Sequence, residues 1–256
     1  MGLNDYRASV KQRLDAELEA CLEEWFAEMP HAQLTSLRGI VAEGKRLRAC
    51  LTCLVAEALG APLKRALPAA LAIEIVQAAS LVHDDLVDGD VQRRGRAAAW
   101  TWLTPRHAVL LADVMFATSL ERMAALGARE AATLARAIAA MARGAFLESL
   151  AEPTPYRSII RWKTGSLFAA AARLGALAAA AAPPLLHAAY DYGMHAGEVY
   201  QIADDLADSD VPPVTPGAIA VLVDRALAGL ESFPDNEFTT MLREAPAAFA
   251  ASMAPA

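Results

Sequence analysis

The apolar positions of this chain fall into long blocks, without the strict alternation that marks half-buried strands. Runs of alternating Val, Ile, Thr and Tyr are missing, and Ala, Leu, Glu, Arg and Met, all good helix formers, fill the blocks. The pattern predicts an all-α protein. Breakers divide it at Pro30, Gly60 with Pro62, Pro68, Gly89 with Gly95, Pro105, Gly127, Pro153 with Pro155, Pro183 with Pro184, Pro212 to Gly217, and Pro234. The helices between them would run to about 15 to 28 residues, long for a globular protein. Ala69 to Asp88 and Leu185 to Asp208 are apolar nearly all round, the mark of central helices in a large bundle. The most apolar stretch, Leu167 to Leu186, holds Arg173, ends near two prolines and is mostly alanine, so it reads as a buried helix and not as a membrane span.

Composition narrows the class. The chain has 256 residues, 55% hydrophobic and 21% charged, which excludes disorder and is enough to bury a core without a disulfide or metal staple. No linker or compositional shift divides it, so residues 1–256 are expected to form one domain. Three cysteines and no signal-like opening favour a reducing cytoplasm. A net charge of −7 argues against a nucleic-acid surface, so any phosphate chemistry has to rest on a few placed cations.

The chemistry-bearing feature is an internal echo. Asp84-Asp85-Leu86-Val87-Asp88 and Asp204-Asp205-Leu206-Ala207-Asp208 each end an apolar helix. Residues four apart share a helix face, so Asp84 projects with Asp88 and Asp204 with Asp208. Like charges so placed repel, and a helix C-terminus already carries negative potential; each effect costs from a few tenths to about 1 kcal/mol. Both clusters therefore call for positive charge. Carboxylates without thiolate or imidazole companions suit a hard cation, and Mg²⁺ is typically held by one or two carboxylates together with phosphate oxygens. Three groups could bind those phosphates: Lys45, Arg46 and Arg48 after Gly44 at a helix start, Arg93 and Arg94 before Gly95, and Lys163 with Thr164 and Gly165 opening the Ala-rich helix. Cys50 and Cys53 form a CxxC inside a predicted helix with no second pair, so they read as buried small apolar residues. His31, His107, His187 and His195 show no ligand spacing, while His83 beside Asp84 reads either as tuning the metal site or as a packed or capped histidine.

These residues resemble the trans-isoprenyl diphosphate synthases, or polyprenyl synthetases. The matching pieces, in the family's order, are GKRLR at Gly44 to Arg48, SLVHDDLVDGDVQRRG at Ser80 to Gly95, AVLLAD at Ala108 to Asp113, KTGSLFAAAARLGA at Lys163 to Ala176, and YGMHAGEVYQIADDLAD at Tyr192 to Asp208. The resemblance implies the isoprenoid synthase type I fold, a bundle of long helices around a central cavity, and a homodimer. It implies head-to-tail condensation of isopentenyl diphosphate with an allylic prenyl diphosphate. Three Mg²⁺ ions would be held by the six aspartates Asp84, Asp85, Asp88, Asp204, Asp205 and Asp208, with Asp84 and Asp88 binding two and Asp204, helped by Asp208, the third. Arg93, Lys163, Thr164 and Gln201 would serve the allylic diphosphate, and Lys45, Arg48, Gln77 and Arg94 the second substrate. In this family, bulky residues four and five positions before the first aspartate motif stop chain growth. Here they are Ser80 and Ala79, both small, which implies a C20 or longer product.

The resemblance has gaps. After Asp208 the family's Gly- and Lys-containing loop is replaced by Ser209 to Gly217, which lacks its lysine, and some tens of residues of the pattern are missing. Losing one charge-assisted phosphate contact costs roughly 1.5 to 3 kcal/mol. Ala97 and Ala98 stand where Pro-Thr is usual, and Ala145 where Gln or Glu is usual. Two alternatives remain open: a modulatory subunit of a full-length synthase, and a cyclase-like enzyme of the same fold. The second-substrate set argues against the cyclase, which ionises a single diphosphate.

Overall fold

The computed structural model describes residues 1–42, 44–93, 95–150, 154–207 and 216–251. The chain runs through α1 (Leu3–Trp25), α2 (His31–Val41), α3 (Leu47–Ala58), α4 (Leu63–Asp88), a two-stranded ribbon of β1 (Gln92–Arg93) and β2 (Arg96–Ala97), then α5 (Ala99–Leu103), α6 (Pro105–Leu126) and α7 (Ala128–Glu148). It continues through α8 (Tyr156–Ile160), a π turn (Arg161–Gly165), α9 (Ser166–Ala178), α10 (Pro183–Ala207), α11 (Pro216–Gly229) and α12 (Glu237–Ala251). The all-α expectation holds. Among the described residues only the ribbon departs from it, an antiparallel pairing of Gln92 with Ala97 and Arg93 with Arg96.

At the centre, α9 packs against α3, α4, α7 and α10. The Ala-rich sequence makes this possible. Ala169 to Ala172 are at most 1% exposed, and neighbouring backbones come close enough that side chains would not fit. A β-carbon at Gly175 would lie 2.3 Å from the Thr52 carbonyl oxygen of α3, and one at Gly193 would lie 2.4 Å from the Phe168 carbonyl oxygen. The apolar stretch from Leu167 is therefore a buried helix that ends at Ala178; a turn through Ala180 (φ 53°) then leads into α10.

Pro68 does not break the chain as expected. It lies inside α4, near the start, where the carbonyl that loses its partner belongs to exposed Lys64. Beyond it the helix buries most of its length, including Ile73, Ile75 and Val76 at 0% exposure, and that burial outweighs one lost bond. Among the described residues, α4 is also the helix long and apolar enough to cross a membrane, but 72% of its apolar window is buried inside the bundle. It ends where Gly89 turns left-handed (φ 73°) and its N–H bonds the Asp85 carbonyl. Cys50 and Cys53 are buried free thiols, as the sequence suggests. Burial pushes the Cys50 thiol up to about 12, and Cys53 also lies well above its ordinary value.

Candidate active site

Asp84, one helical turn before Asp88, is half-buried, whereas Asp88 is exposed at the end of α4. Burial raises the Asp84 carboxyl above the ordinary range; Lys163 opposes this, Asp88 and Glu148 add to it, and Arg93 opposes it. Lys163 is held in an ion pair with Glu148 at the end of α7. Burial disfavours its charge, but Glu148, Asp84 and Asp88 together hold its proton more tightly than usual. The sequence pattern predicts Lys163, Thr164 and Gly165 at a helix start. They lie instead in the π turn, in the middle of a run that is helical from Tyr156 to Ala178. Such turns recur at functional sites because the extra residue re-aims the side chains around it.

Asp85 faces elsewhere. It is 3% exposed and accepts from Arg93, whose Nε lies 2.7 Å from its Oδ1, with a second contact from Nη2. Asp85 and Arg93, assigned above to metal and to substrate, thus engage each other. The second cluster repeats the arrangement. Asp205 accepts from Tyr156 Oη at 2.5 Å and from Gln201 Nε2 at 2.7 Å, and Gln201 Oε1 accepts from Thr164 Oγ1 at 2.5 Å. In each cluster the second aspartate is held by protein donors. Asp204 is half-buried on α10. Asp208, like Arg94, lies outside the described residues. Among the described residues no three His, Cys, Asp or Glu side chains converge as a ready-made metal cage. A cation here would therefore depend on one or two carboxylates and on ligand oxygens.

Lys45 is exposed and Arg48 half-buried, its guanidinium carbon 4.5 Å from the Phe168 ring centroid and 6.0 Å from that of Tyr200. Gln77, also half-buried, stands two helical turns before Asp84 on the same side of α4. Ala79 is fully buried, and Ser80 donates to the Gln77 carbonyl at 2.9 Å. Below them Ile73, Val76 and Met115 are fully buried, and the His83 ring lies 5.6 Å from Phe116. Arg46 does not join Lys45 and Arg48: it is 4% exposed and paired with Asp15 and Glu74.

Sequence reasoning missed Glu198. It is fully buried on α10, accepts from His195 Nδ1 at 3.0 Å and lies 3.4 and 3.5 Å from Arg161 and Arg157. Burial pushes its carboxyl up, but His195, Arg161 and Arg157 more than offset this and leave it below the ordinary range. It joins the segment carrying Lys163 and Thr164 to the helix carrying Gln201 and the second cluster. A charged residue inside an apolar helical run, with histidine three positions before it, was a signal the sequence offered. The Tyr156 to Asp205 bond, linking residues far apart in the chain, offered none.

The family profile described as Polyprenyl synthetase matches residues 32–219. Heptaprenyl diphosphate synthase component 2 of Geobacillus stearothermophilus is 37% identical over 214 residues, which are 80% of this chain and 64% of that protein. Geranylgeranyl pyrophosphate synthase of Geoglobus acetivorans is 35% identical over 179 residues, 65% of this chain and 56% of that protein. The chain thus spans less than two thirds of the length of these curated relatives. The crystal structure of a polyprenyl synthase from Caulobacter crescentus CB15, complexed with calcium and isoprenyl diphosphate, superposes with a TM-score of 0.82 at 26% identity, covering 96% of this chain and 97% of that one.

Proposed function

The chain belongs to the polyprenyl synthetase family, and from that premise we propose that it is a divalent-metal-dependent trans-prenyltransferase condensing isopentenyl diphosphate with an allylic prenyl diphosphate. One observation carries the reading. In both acidic clusters the second aspartate is held by protein donors, Arg93 on Asp85, and Tyr156 with Gln201 on Asp205, while Asp84 is desolvated beside Asp88 and close enough to Lys163 to feel its charge, as a metal-diphosphate site requires.

The donor set fits Mg²⁺. It is all oxygen, Asp84 is desolvated and strained by Asp88, and the small number of carboxylates leaves room for diphosphate oxygens. The calcium and isoprenyl diphosphate in the Caulobacter crescentus relative support the same choice. Asp84, Asp88 and Asp204, helped by Asp208 and by Asp85 and Asp205 of the same two motifs, would hold three ions. When bound, the metal supplies Lewis-acid neutralisation of the departing diphosphate.

The chain's own residues do the rest. Lys163 gives a point charge to the allylic diphosphate, and its partners Glu148 and Asp84 keep it protonated through any neutral pH. Thr164 donates to Gln201 and Gln201 donates to Asp205, so the remaining amide N–H of Gln201 is oriented on that side before substrate arrives. Lys45, Arg48 and Gln77 would hold the isopentenyl diphosphate; stacking on Phe168 fixes the plane of the Arg48 guanidinium. The small residues Ala79 and Ser80 let the growing tail pass, giving C20 or longer products, in keeping with the geranylgeranyl relative. A homodimer is the proposed assembly.

The test incubates the pure protein with Mg²⁺, isopentenyl diphosphate and each of dimethylallyl, geranyl and farnesyl diphosphate, then sizes the products. Elongation of at least one primer is expected, and none with any primer refutes the reading. Activity that appears only on adding a full-length synthase assigns a modulatory role, and conversion of a prenyl diphosphate without isopentenyl diphosphate assigns a cyclase.

A further inference from the structure

Arg46 is flanked by the cations proposed for the second diphosphate, yet it turns away from them. Its guanidinium is enclosed by three elements. Nε donates to Asp15 Oδ1 of α1 at 2.9 Å, Nη2 to the Val41 carbonyl at the end of α2 at 2.6 Å, and Nη1 lies 3.5 Å from Glu74 Oε2 of α4. Its backbone is left-handed (φ 52°, ψ 29°), a conformation its β-carbon disfavours, and it stands at the N-cap of α3 without capping that helix itself.

The cap comes from another helix. Glu74, 8% exposed, accepts from the backbone N–H of Ala49 at 3.2 Å, the first-turn donor that an N-cap side chain ordinarily satisfies. Glu74 also stands one turn before Gln77 on α4. A single buried carboxylate therefore fixes both the start of α3, which carries Arg48, and the guanidinium of the residue between Lys45 and Arg48.

Stability alone is a poor account of this arrangement. A buried ion pair roughly breaks even with well-packed apolar side chains, and a left-handed arginine adds strain to that balance. Strain of this kind persists where the surrounding structure over-determines it, and here that happens at the residue between Lys45 and Arg48, the cations proposed for a diphosphate. We propose that Arg46 and Glu74 are positioning residues. Their buried pair ties α1, α2, α3 and α4 together at the start of α3, between Lys45 and Arg48 in sequence and one turn before Gln77 on α4, sets the spacing of those three donors for a diphosphate, and keeps a third cation out of the pocket. The inference rests on the reading of Lys45, Arg48 and Gln77 as the isopentenyl diphosphate site.

The test uses the double variant Arg46→Met with Glu74→Gln, which removes both charges, keeps the volume and leaves an amide oxygen to accept from the Ala49 N–H. Arg46→Lys serves as the conservative variant. Melting temperature, KM for each substrate, kcat, and calorimetric binding of isopentenyl diphosphate alone are measured on both and on the wild type. The double variant is expected to melt close to the wild type and to show a KM for isopentenyl diphosphate raised roughly tenfold or more, with allylic KM and kcat changed less than about threefold. Arg46→Lys should fall between. An unchanged KM for isopentenyl diphosphate, or an equal rise for both substrates together with a lower melting temperature, overturns the proposal. If the wild type does not turn over, the functional reading fails on its own, and calorimetry decides this inference: weaker diphosphate binding in the double variant supports it, and equal binding, or none in either protein, overturns it.

Discussion

Asp84→Asn is expected to abolish turnover and, in the absence of divalent cations, to make the protein more stable. Asp84 sits at the C-terminal end of α4, half-buried, with Asp88 one turn away and Glu148 close by. The like-charge pair costs about 0.2 to 0.5 kcal/mol and the helix terminus about 0.3 to 1 kcal/mol. Lys163 returns part of that, but the carboxyl still lies above its ordinary range, so ionising it is net unfavourable in the folded protein. Removing the charge should therefore gain about 1 kcal/mol, or about 2 to 4 °C for a chain of this size. The sign with pH follows. Because the folded value is raised, protonated Asp84 contributes stability that is full below about pH 4 and lost as pH rises through the folded value. The wild type and the variant should then melt together in acid and separate toward neutrality, with the variant higher. Calorimetric scans at low ionic strength, with chelator, from pH 4 to 8 measure this. Mg²⁺ with pyrophosphate should raise the wild type and leave Asp84→Asn nearly unmoved. A variant that melts lower than the wild type at pH 7 without divalent cations would falsify the reasoning.

Three further outcomes follow from the same geometry. Glu198→Gln should cost about 1.5 to 3 kcal/mol at pH 7, mostly from the lost charged bond to His195, since the two partly exposed arginines at longer range add little; because the Glu198 carboxyl lies below its ordinary range, the gap from the wild type should persist down to about pH 4 and close below it, as paired melts will tell. Tyr156→Phe should release one oxygen of Asp205 and raise the allylic KM several-fold with little change in the KM for isopentenyl diphosphate; steady-state kinetics showing equal effects on both would count against the assignment. Cys21, Cys50 and Cys53, all buried with thiols pushed up to about 12 or above, should resist a thiol-specific reagent at pH 8 in the native protein and react together on unfolding, so early labelling of one would contradict their packing.

The helical architecture could be read from the chain because it rests on local signals: alanine-rich blocks, the glycine after Asp88, and prolines at the starts of α6 and α10. Pro68 misled because a break predicted from backbone chemistry was overridden by the burial of everything after it. The acidic clusters were visible through a helical spacing and a repeat, both short-range. Their internal division was not. Which aspartate is held by protein donors depends on Arg93 in the ribbon and on Tyr156 from a remote helix, contacts that only the assembled bundle creates. Arg46 shows the same limit: three cations in one short motif looked alike until Asp15 and Glu74 drew one of them into the core.

The contacts at Gly175 and Gly193 bear on how such a site can diverge. The helices bearing Arg48 and Gln201 are spaced from α9 by backbone lying directly on backbone, and backbone has no rotamers to exchange. One added methyl group at either position would push a helix aside by about 1 Å, with no intermediate setting available. The separation between the two proposed diphosphates is thus a stepwise quantity under mutation. The walls around Ser80 and Phe116, built from side chains of adjustable size, can be altered by degrees. Gradual selection for a new product would act on those walls and leave the gauge between the reacting groups untouched.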